Sequence, residues 1–404
     1  MLKDKILAEL FNANVSIINL VDWLIEYAYS LRASDIHIEP NEDNVRVRFR
    51  IDGQLIDSFA FPKNIHLEII FRIKILTGLR TDEHRIAQDG RFRLVISNLV
   101  PLDIRVSIVP TFYDENCVLR LLADNLKNCT FEALGISLKN QEIILQSIKK
   151  PHGMILVTGP TGSGKTTTLY AILKMLNLSN SCLITIEDPV EYAMPGIRQI
   201  PVNKQTGLNF ANGLRSILRQ DPDVIMVGEI RDSETAGIAI NTALTGHLLL
   251  STLHTNDPAA TLPRLLDMGI EAYLVASTIN LIIGQRLVRR ICDACKTEKD
   301  LSEAEALSLS GNLFLDWFNT KKIFYYGRGC NSCQSTGYKG RVALQEIICI
   351  SEPIRQAILK KASALEIKNL AFSEGGVSLI QDGINKAAEG VTTIEEVFRI
   401  AYES

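Results

Sequence analysis

The residues best suited to chemistry are Gly159-Pro160-Thr161-Gly162-Ser163-Gly164-Lys165-Thr166, the glycine, lysine and hydroxyl spacing of a phosphate-binding loop. Glycines let backbone amides turn inward around phosphate oxygens, and a helix that starts at the loop points its positive end at the same anion. Lys165 would reach the β and γ phosphates of a nucleoside triphosphate and Thr166 would ligate Mg²⁺, with Thr167 completing the candidate nucleotide-binding set. The context fits the motif. Met154-Ile155-Leu156-Val157 reads as a buried strand feeding the loop, and Leu169, Ile172, Leu173 and Leu176 follow at helical spacing.

Further apolar runs, over residues 182–186, 224–227 and 248–252, alternate with helical patterns, so a parallel sheet is expected. Ligands of such a sheet sit beyond the carboxyl ends of its strands. Glu187, Asp188, Glu191, Glu229 and His254 fall at that end, whereas Asp221, Asp223 and His247 fall at the other. A strand of about five residues spans about 16 Å, so His247 and His254 cannot both touch one γ phosphate, and His254 is favoured as the phosphate sensor. Glu229 follows Gly228 and inherits the role of the acidic residue that helps hold Mg²⁺. Glu187, Asp188 and Glu191 all qualify as the carboxylate that activates water, and spacing does not choose among them. Arg215 and Arg219 lie four apart, on one face of a helix expected over residues 210–220.

Two Cys-x-x-Cys pairs, Cys292/Cys295 and Cys330/Cys333, make a four-thiolate set suited to tetrahedral Zn²⁺. Four sulfurs leave no open position, so the site is expected to be structural. Cys117, Cys129, Cys182 and Cys349 are unpaired in sequence and read as packing residues.

These groups need elements to carry them. Residues 15–31 read as an amphipathic helix that opens the chain. Val45, Val47, Phe49 and Ile51 alternate with Arg46, Arg48, Arg50 and Asp52, a half-buried strand that ends in an Asp52-Gly53 turn. A helix over residues 64–79, a strand after an Asp89-Gly90 turn and a strand around Ile104 complete an α+β domain, residues 1–122. Its polar strand face carries Arg46, Arg48, Arg50, Arg91, Arg93 and Arg105, which suit either a solvated surface or fingers on transferring phosphate. A linker is expected over residues 123–133 and a nucleotide-binding domain over 134–404, with a cysteine knuckle at 290–341 and a helical part at 351–404. Thr393-Ile394-Glu395-Glu396 reads as a capping box.

Length and charge narrow the partners. A chain of 404 residues with 46% hydrophobic and 22% charged residues is an ordinary globular protein of two or three domains, and a net charge of -3 gives no field favouring nucleic acid. Arg72 and Lys74 interrupt the richest apolar run, and the N-terminus lacks a signal-peptide pattern, so a cytoplasmic location is expected.

Together the motifs resemble the secretion and pilus-assembly ATPases of type II secretion and type IV pili, the GspE/PilB group. Ala33-Ser34-Asp35-Ile36-His37-Ile38-Glu39-Pro40 looks like the family's opening motif, and Gln88-Asp89-Gly90-Arg91 and Asp103-Ile104-Arg105-Val106-Ser107 are similar to motifs of its N-terminal domain. Ile186-Glu187-Asp188-Pro189-Val190-Glu191 resembles its aspartate box, residues 218–232 its Walker B region and residues 245–257 its histidine box. The resemblance implies a RecA-like P-loop NTPase core after a smaller, PAS-like α+β domain. It implies that Glu191 is the catalytic carboxylate and Glu229 the Walker B glutamate, and that His247 and His254 both belong to a functional box. It also implies that Arg91, Arg105, Arg215 and Arg219 converge on phosphate between the two domains.

By the same resemblance the protein would be a homo-hexameric, ATP- and Mg²⁺-dependent motor. It would act on pilin or pseudopilin assembly indirectly, through a polytopic inner-membrane platform protein that holds it peripherally at the membrane. The cysteine knuckle looks like that of assembly rather than retraction motors. The sequence starts close to the opening motif, and no counterpart of the extra docking domain of many assembly ATPases is expected in it. Asp114 stands where similar proteins usually carry glycine, which implies a local adjustment of that turn. Two other readings compete: a platform module that holds nucleotide without productive hydrolysis, and a DNA-translocating RecA-like ATPase. The complete acidic set disfavours the first, and the lack of a basic, aromatic-lined path disfavours the second.

Overall fold

The computed structural model describes residues 2–12, 14–96, 100–122, 129–300 and 323–402. The chain divides into two compact units, Met1–Asn125 and Leu126–Ser404. Most of the expected linker, residues 123–128, lies outside the described residues, and the remainder already enters a short helix.

In the first unit the helices are α1 (Leu2–Leu10), α2 (Ile17–Ser30) and α3 (His66–Thr77). The strands are β1 (Ala33–Pro40), β2 (Asn44–Ile51), β3 (Gln54–Pro62), β4 (Gln88–Ile96), β5 (Val100–Pro110) and β6 (Glu115–Leu122), in the order β3-β2-β1-β6-β5-β4 with every pair antiparallel. One sheet face supplies Ile36, Ile38, Val47, Phe49, Ile104 and Val106 to a core shared with Leu20, Leu24, Ile69 and Ile73 of the helices. The amphipathic helix does not open the chain, because α1 precedes it and buries Ile6. The Asp52-Gly53 turn forms as read, with φ of 48° and 92° between paired Ile51 and Gln54. Gly90 makes no turn. It lies inside β4 opposite Val106, and a Cβ there would stand 2.9 Å from the Thr77 Cβ of α3, so the glycine serves close helix-to-sheet packing. Asp114 has φ 159°, near the extended limit, and the turn needs no left-handed residue.

The arginines divide on the other face of this sheet. Arg46 pairs with Asp57 at 2.6 Å, Arg48 with Glu39 at 2.6 Å and Arg93 with Asp103 at 2.8 Å, the solvated-face arrangement. Arg91 faces Arg105 across β4 and β5, and Arg105 faces Arg120 across β5 and β6. Like charges placed opposite one another cost stability, and in this row Arg120 is offset by Asp35 of β1 at 2.8 Å.

The second unit starts with α4 (Phe131–Leu134) and α5 (Leu138–Ile148), followed by β7 (Gly153–Thr158), α6 (Lys165–Leu176), β8 (Leu183–Glu187), β9 (Arg198–Pro201) and α7 (Phe210–Ile217). It continues through β10 (Val224–Val227), α8 (Ser233–Leu244), β11 (Leu248–Leu253), α9 (Thr261–Asp267), α10 (Ala272–Thr278) and β12 (Ile279–Ile291). It closes with β13 (Lys296–Asp300), β14 (Ile323–Gly327), β15 (Tyr338–Cys349), α11 (Glu352–Leu359), α12 (Ala364–Ser373), α13 (Leu379–Ala388) and α14 (Ile394–Tyr402). The main sheet runs β15-β12-β7-β11-β10-β8-β9, parallel except for β15 on β12. Strands β7, β8, β10 and β11 are buried along their whole length, because helices cover both faces, and this is why they read as continuous apolar runs. Among the described residues no helix is long and apolar enough to cross a membrane.

Only half of the capping box at Thr393 forms. Its hydroxyl accepts the Glu396 amide at 3.3 Å, but the Glu396 carboxylate, 2% exposed, instead receives Arg289 through its amide at 2.9 Å and its guanidinium at 2.7 Å, and Arg399 at 3.2 Å. A buried charge-assisted pair outweighs a cap. Burial opposes ionisation, but the hydrogen bonds from Arg289 and Arg399 hold the carboxyl below its usual 4.5. Its contribution to stability is therefore present above the unfolded value and lost as pH falls through the depressed folded one. In Glu396→Gln, urea unfolding at neutral pH should show a loss of about 1–3 kcal/mol. The decline of stability on the acid side should also become shallower than in the native chain.

Candidate functional site

The phosphate loop joins β7 to α6. Gly159, Gly162 and Gly164 have φ of 140°, 81° and 83°, and a Cβ on Gly159 would stand 2.4 Å from the Gln285 carbonyl of β12, so only glycine fits there. Lys165 is buried and donates to the Gly159 and Pro160 carbonyls at 2.9 Å each. Burial lowers its pKa, Glu229 opposes that shift and Arg286 adds to it. The hydroxyls of Ser163 and Thr158 are buried with no hydrogen-bond partner among the described residues. A cradle of left-handed glycines, a buried ammonium on loop carbonyls and an unpaired Ser163 hydroxyl fits the phosphates of a nucleotide with its Mg²⁺.

The loop is braced from beneath by residues that local patterns did not reveal. Gln285 donates to the Ser163 carbonyl at 2.8 Å and accepts from Thr168 at 2.8 Å and from Gln345 at 2.9 Å. The Gln345 amide donates to Asp382 at 2.8 Å, and Asp382 pairs with Lys386 at 2.6 Å. This buried polar chain ties the loop to α13 of the helical C-terminal part. Arg286 donates to the Asn256 carbonyl at 3.0 Å beside the loop. The signal lay in glutamines and an arginine within apolar stretches of β12 and β15, which show their purpose only once those strands flank β7.

The acidic residues separate by environment. Glu229, 9% exposed, follows β10 and bridges Arg231 at 2.6 Å and His254 at 3.0 Å. Glu187 is buried at the end of β8, with its oxygens taken by Tyr170, by Thr185 at 2.6 Å and by Gln199 at 3.1 Å, which withdraws it from the candidates for activating water. Burial raises its pKa, partly offset by those donors. Asp188 is exposed and Glu191 half-buried. Asp223 accepts the Cys182 amide at 2.7 Å, a structural bond at the far end of the sheet.

The structure does not bring every predicted residue to this edge. The His247 carbonyl accepts the Gly153 amide at the amino end of β7, and its ring bonds the Thr242 carbonyl at 3.2 Å, so His247 stands at the opposite end of the strands from the loop. Arg215 pairs with Glu234 at 2.7 Å, and Arg219 donates to the Arg215 carbonyl at 3.0 Å. Arg91 and Arg105 belong to the first unit.

The four knuckle cysteines meet although residues 301–322 of the expected knuckle lie outside the described residues. Cys292 and Cys330 sulfurs are 3.8 Å apart, Cys295 and Cys333 are 3.8 Å apart, Cys330 and Cys333 are 3.7 Å apart, and all four lie within 4.8 Å of one another. A tetrahedron with zinc–sulfur bonds of about 2.3 Å has edges of about 3.8 Å, so the set fits Zn²⁺ with no open position. Burial pushes the Cys333 thiol up, but the amides of Cys330 and Gly337, at 3.2 and 3.3 Å, outweigh it and hold the thiol down at about 6. Above the knuckle Phe324 packs on Ile384, Ile394 and Phe398. Of the other cysteines, Cys117 and Cys129 are buried as expected, while Cys349 is exposed.

A parallel sheet with a phosphate loop at its carboxyl edge, an acidic residue on a neighbouring strand end and an antiparallel strand added at β15 defines a RecA-like P-loop NTPase core. The chain belongs to the family described as Type II/IV secretion system protein, which matches residues 12–399. It is 46% identical to the type II secretion system protein E of Xanthomonas campestris pv. campestris, over 96% of this chain and 68% of that protein. It is 44% identical to the type IV pilus assembly ATPase PilB of Myxococcus xanthus, over 94% of this chain and 67% of that protein. Among solved structures it is similar to the pilus retraction motor PilT with bound ADP, with a TM-score of 0.63, 25% identity and coverage of 93% of this chain and 95% of that one.

If the knuckle holds zinc, metal analysis of the purified protein should find about one Zn²⁺ per chain, and Cys292→Ser should remove most of it and lower the melting temperature by several degrees. A chelator should have the same effect on the native chain.

Proposed function

We propose that this chain hydrolyses ATP to ADP and phosphate and acts as a motor for type IV pilus assembly or for assembly of the pseudopilus of type II secretion. The observation that carries the reading is the loop itself, with buried Lys165 and the Glu229–His254 pair at one strand edge. The similarity to the type IV pilus assembly ATPase PilB of Myxococcus xanthus and the ADP bound by the PilT structure support it. Membership of the secretion family favours a motor over a DNA translocase or a silent nucleotide-binding module.

In the proposed site the amides of residues 159–164 receive the phosphates, and Lys165 exchanges its loop carbonyls for phosphate oxygens. Thr166 and Glu229 would hold Mg²⁺, which supplies charge neutralisation at the phosphates. Glu191, to which the family resemblance assigns the role, takes the proton of the attacking water, and Glu187 is engaged elsewhere. His254, tied to Glu229, senses the γ phosphate. Arg91, Arg105, Arg215 and Arg219, the arginines that the family resemblance points to, neutralise phosphate charge. His247 belongs to the same histidine box but acts away from the loop of its own unit. As a motor the chain would form a homo-hexamer at the cytoplasmic face of the inner membrane. It would be held there by a polytopic platform protein, and would act on pilin subunits through it.

Steady-state phosphate release should fall by about 100-fold or more in Lys165→Ala and in Glu191→Gln, with circular dichroism unchanged. Undiminished turnover in Glu191→Gln would remove that residue from the base role. Arg91→Ala should lower kcat by about 10-fold or more, and retention of full turnover would exclude Arg91 from the phosphate site.

A further inference from the structure

No step above uses the buried carboxyl of Glu187, yet three donors from three elements converge on it. They are Tyr170 of α6, Thr185 of β8 and Gln199 of β9. The carboxyl therefore fastens the phosphate-loop helix to two neighbouring strands. The direction of these bonds follows from the groups themselves. A tyrosine hydroxyl has one proton, and here it goes to Glu187, so its lone pairs face its other neighbours. Those neighbours are donors: the backbone amide of Glu191 at 3.3 Å and Gln199 Nε2 at 3.4 Å.

Gln199 holds the residues that follow. Its Nε2 donates to the Tyr192 carbonyl at 3.0 Å and its Oε1 accepts the Met194 amide at 2.7 Å. The Tyr170 and Tyr192 rings meet edge to face, with centroids 6.1 Å apart and planes at 74°. The connection between β8 and β9 contains neither helix nor strand over residues 188–197. No backbone ladder runs through the position of Glu191, and side chains keyed to Glu187 fix it.

We propose that Glu187, Tyr170 and Gln199 form a clamp of positioning residues that sets the Glu191 carboxylate relative to the phosphate-loop helix. The proposal rests on the reading of Glu191 as the base. None of the three touches the nucleotide in it; they act through the main chain of residues 191–194. A base must lie within hydrogen-bond reach of the water it activates, and a displacement of about 1 Å can cost about 100-fold in rate. The clamp also explains why a tyrosine stands where an apolar residue would fill the same buried space in α6: the hydroxyl links loop helix and base.

The test compares Tyr170→Phe with the native chain, because phenylalanine keeps the ring and removes only the hydroxyl. The expected result is a fall in kcat of at least fivefold, with KM for ATP and the Kd for a fluorescent ADP analogue changed less than twofold and the melting temperature nearly unchanged. Gln199→Leu removes the hold on Tyr192 and Met194 and is expected to give the same split between kcat and KM. A smaller fall in kcat in Tyr170→Phe, or a loss of nucleotide affinity as large as the loss of kcat, would overturn the clamp and leave the network a purely structural one. Glu191→Gln is assayed beside them. Full turnover there removes the base reading and the clamp with it, whereas an inactive Glu191→Gln with a fully active Tyr170→Phe removes the clamp alone.

Discussion

The second unit depends on one close approach, that of the loop backbone at Gly159 to the Gln285 carbonyl of β12, where any side chain on residue 159 would collide. That approach lets Gln285 reach the Ser163 carbonyl and the Thr168 hydroxyl, so the loop is held open from below by a side chain on the neighbouring strand. In the loop so held, Lys165 donates to the Gly159 and Pro160 carbonyls. Buried polar groups held at such a strand edge demand partners, and an anion is the partner they fit.

Two polar networks radiate from this loop in different directions. Beneath it, Gln285, Gln345, Asp382 and Lys386 form a buried chain to α13. Beside it, Tyr170 joins α6 to Glu187 and to the segment that carries Glu191. Both networks are desolvated, and in such surroundings a complete set of hydrogen bonds rigidifies while an incomplete one is costly. Through them the loop is tied by hydrogen bonds to the C-terminal helices on one side and to the acidic strand end on the other. The cysteine knuckle belongs to the same frame, since Phe324 packs into the helices α13 and α14 that the first network reaches.

The arginines show how register sets the neighbours of a charge on one surface. Arg46, Arg48 and Arg93 have carboxylate partners across the sheet and serve as the polar face of a half-buried layer. Arg91, Arg105 and Arg120 stand opposite one another in register, and Arg120 also meets Asp35 of β1 at 2.8 Å. Residue type was identical throughout, and only the register decided which neighbours each arginine meets.

The sequence by itself determined the phosphate loop, the parallel strands that carry it and the acidic and histidine groups at their ends. Those signals are local: glycine spacing, apolar runs buried on both faces, and an acidic residue placed directly after a strand. It also determined the cysteine set, because two Cys-x-x-Cys pairs leave few alternatives. Tertiary structure alone decided which strand lies beside which. That decision gave Gln285 and Tyr170 their roles, withdrew Glu187 from the candidates for base and turned Glu396 from a cap into the partner of Arg289. Each of these outcomes depends on a contact between residues distant in the chain, whose free energy no local pattern encodes.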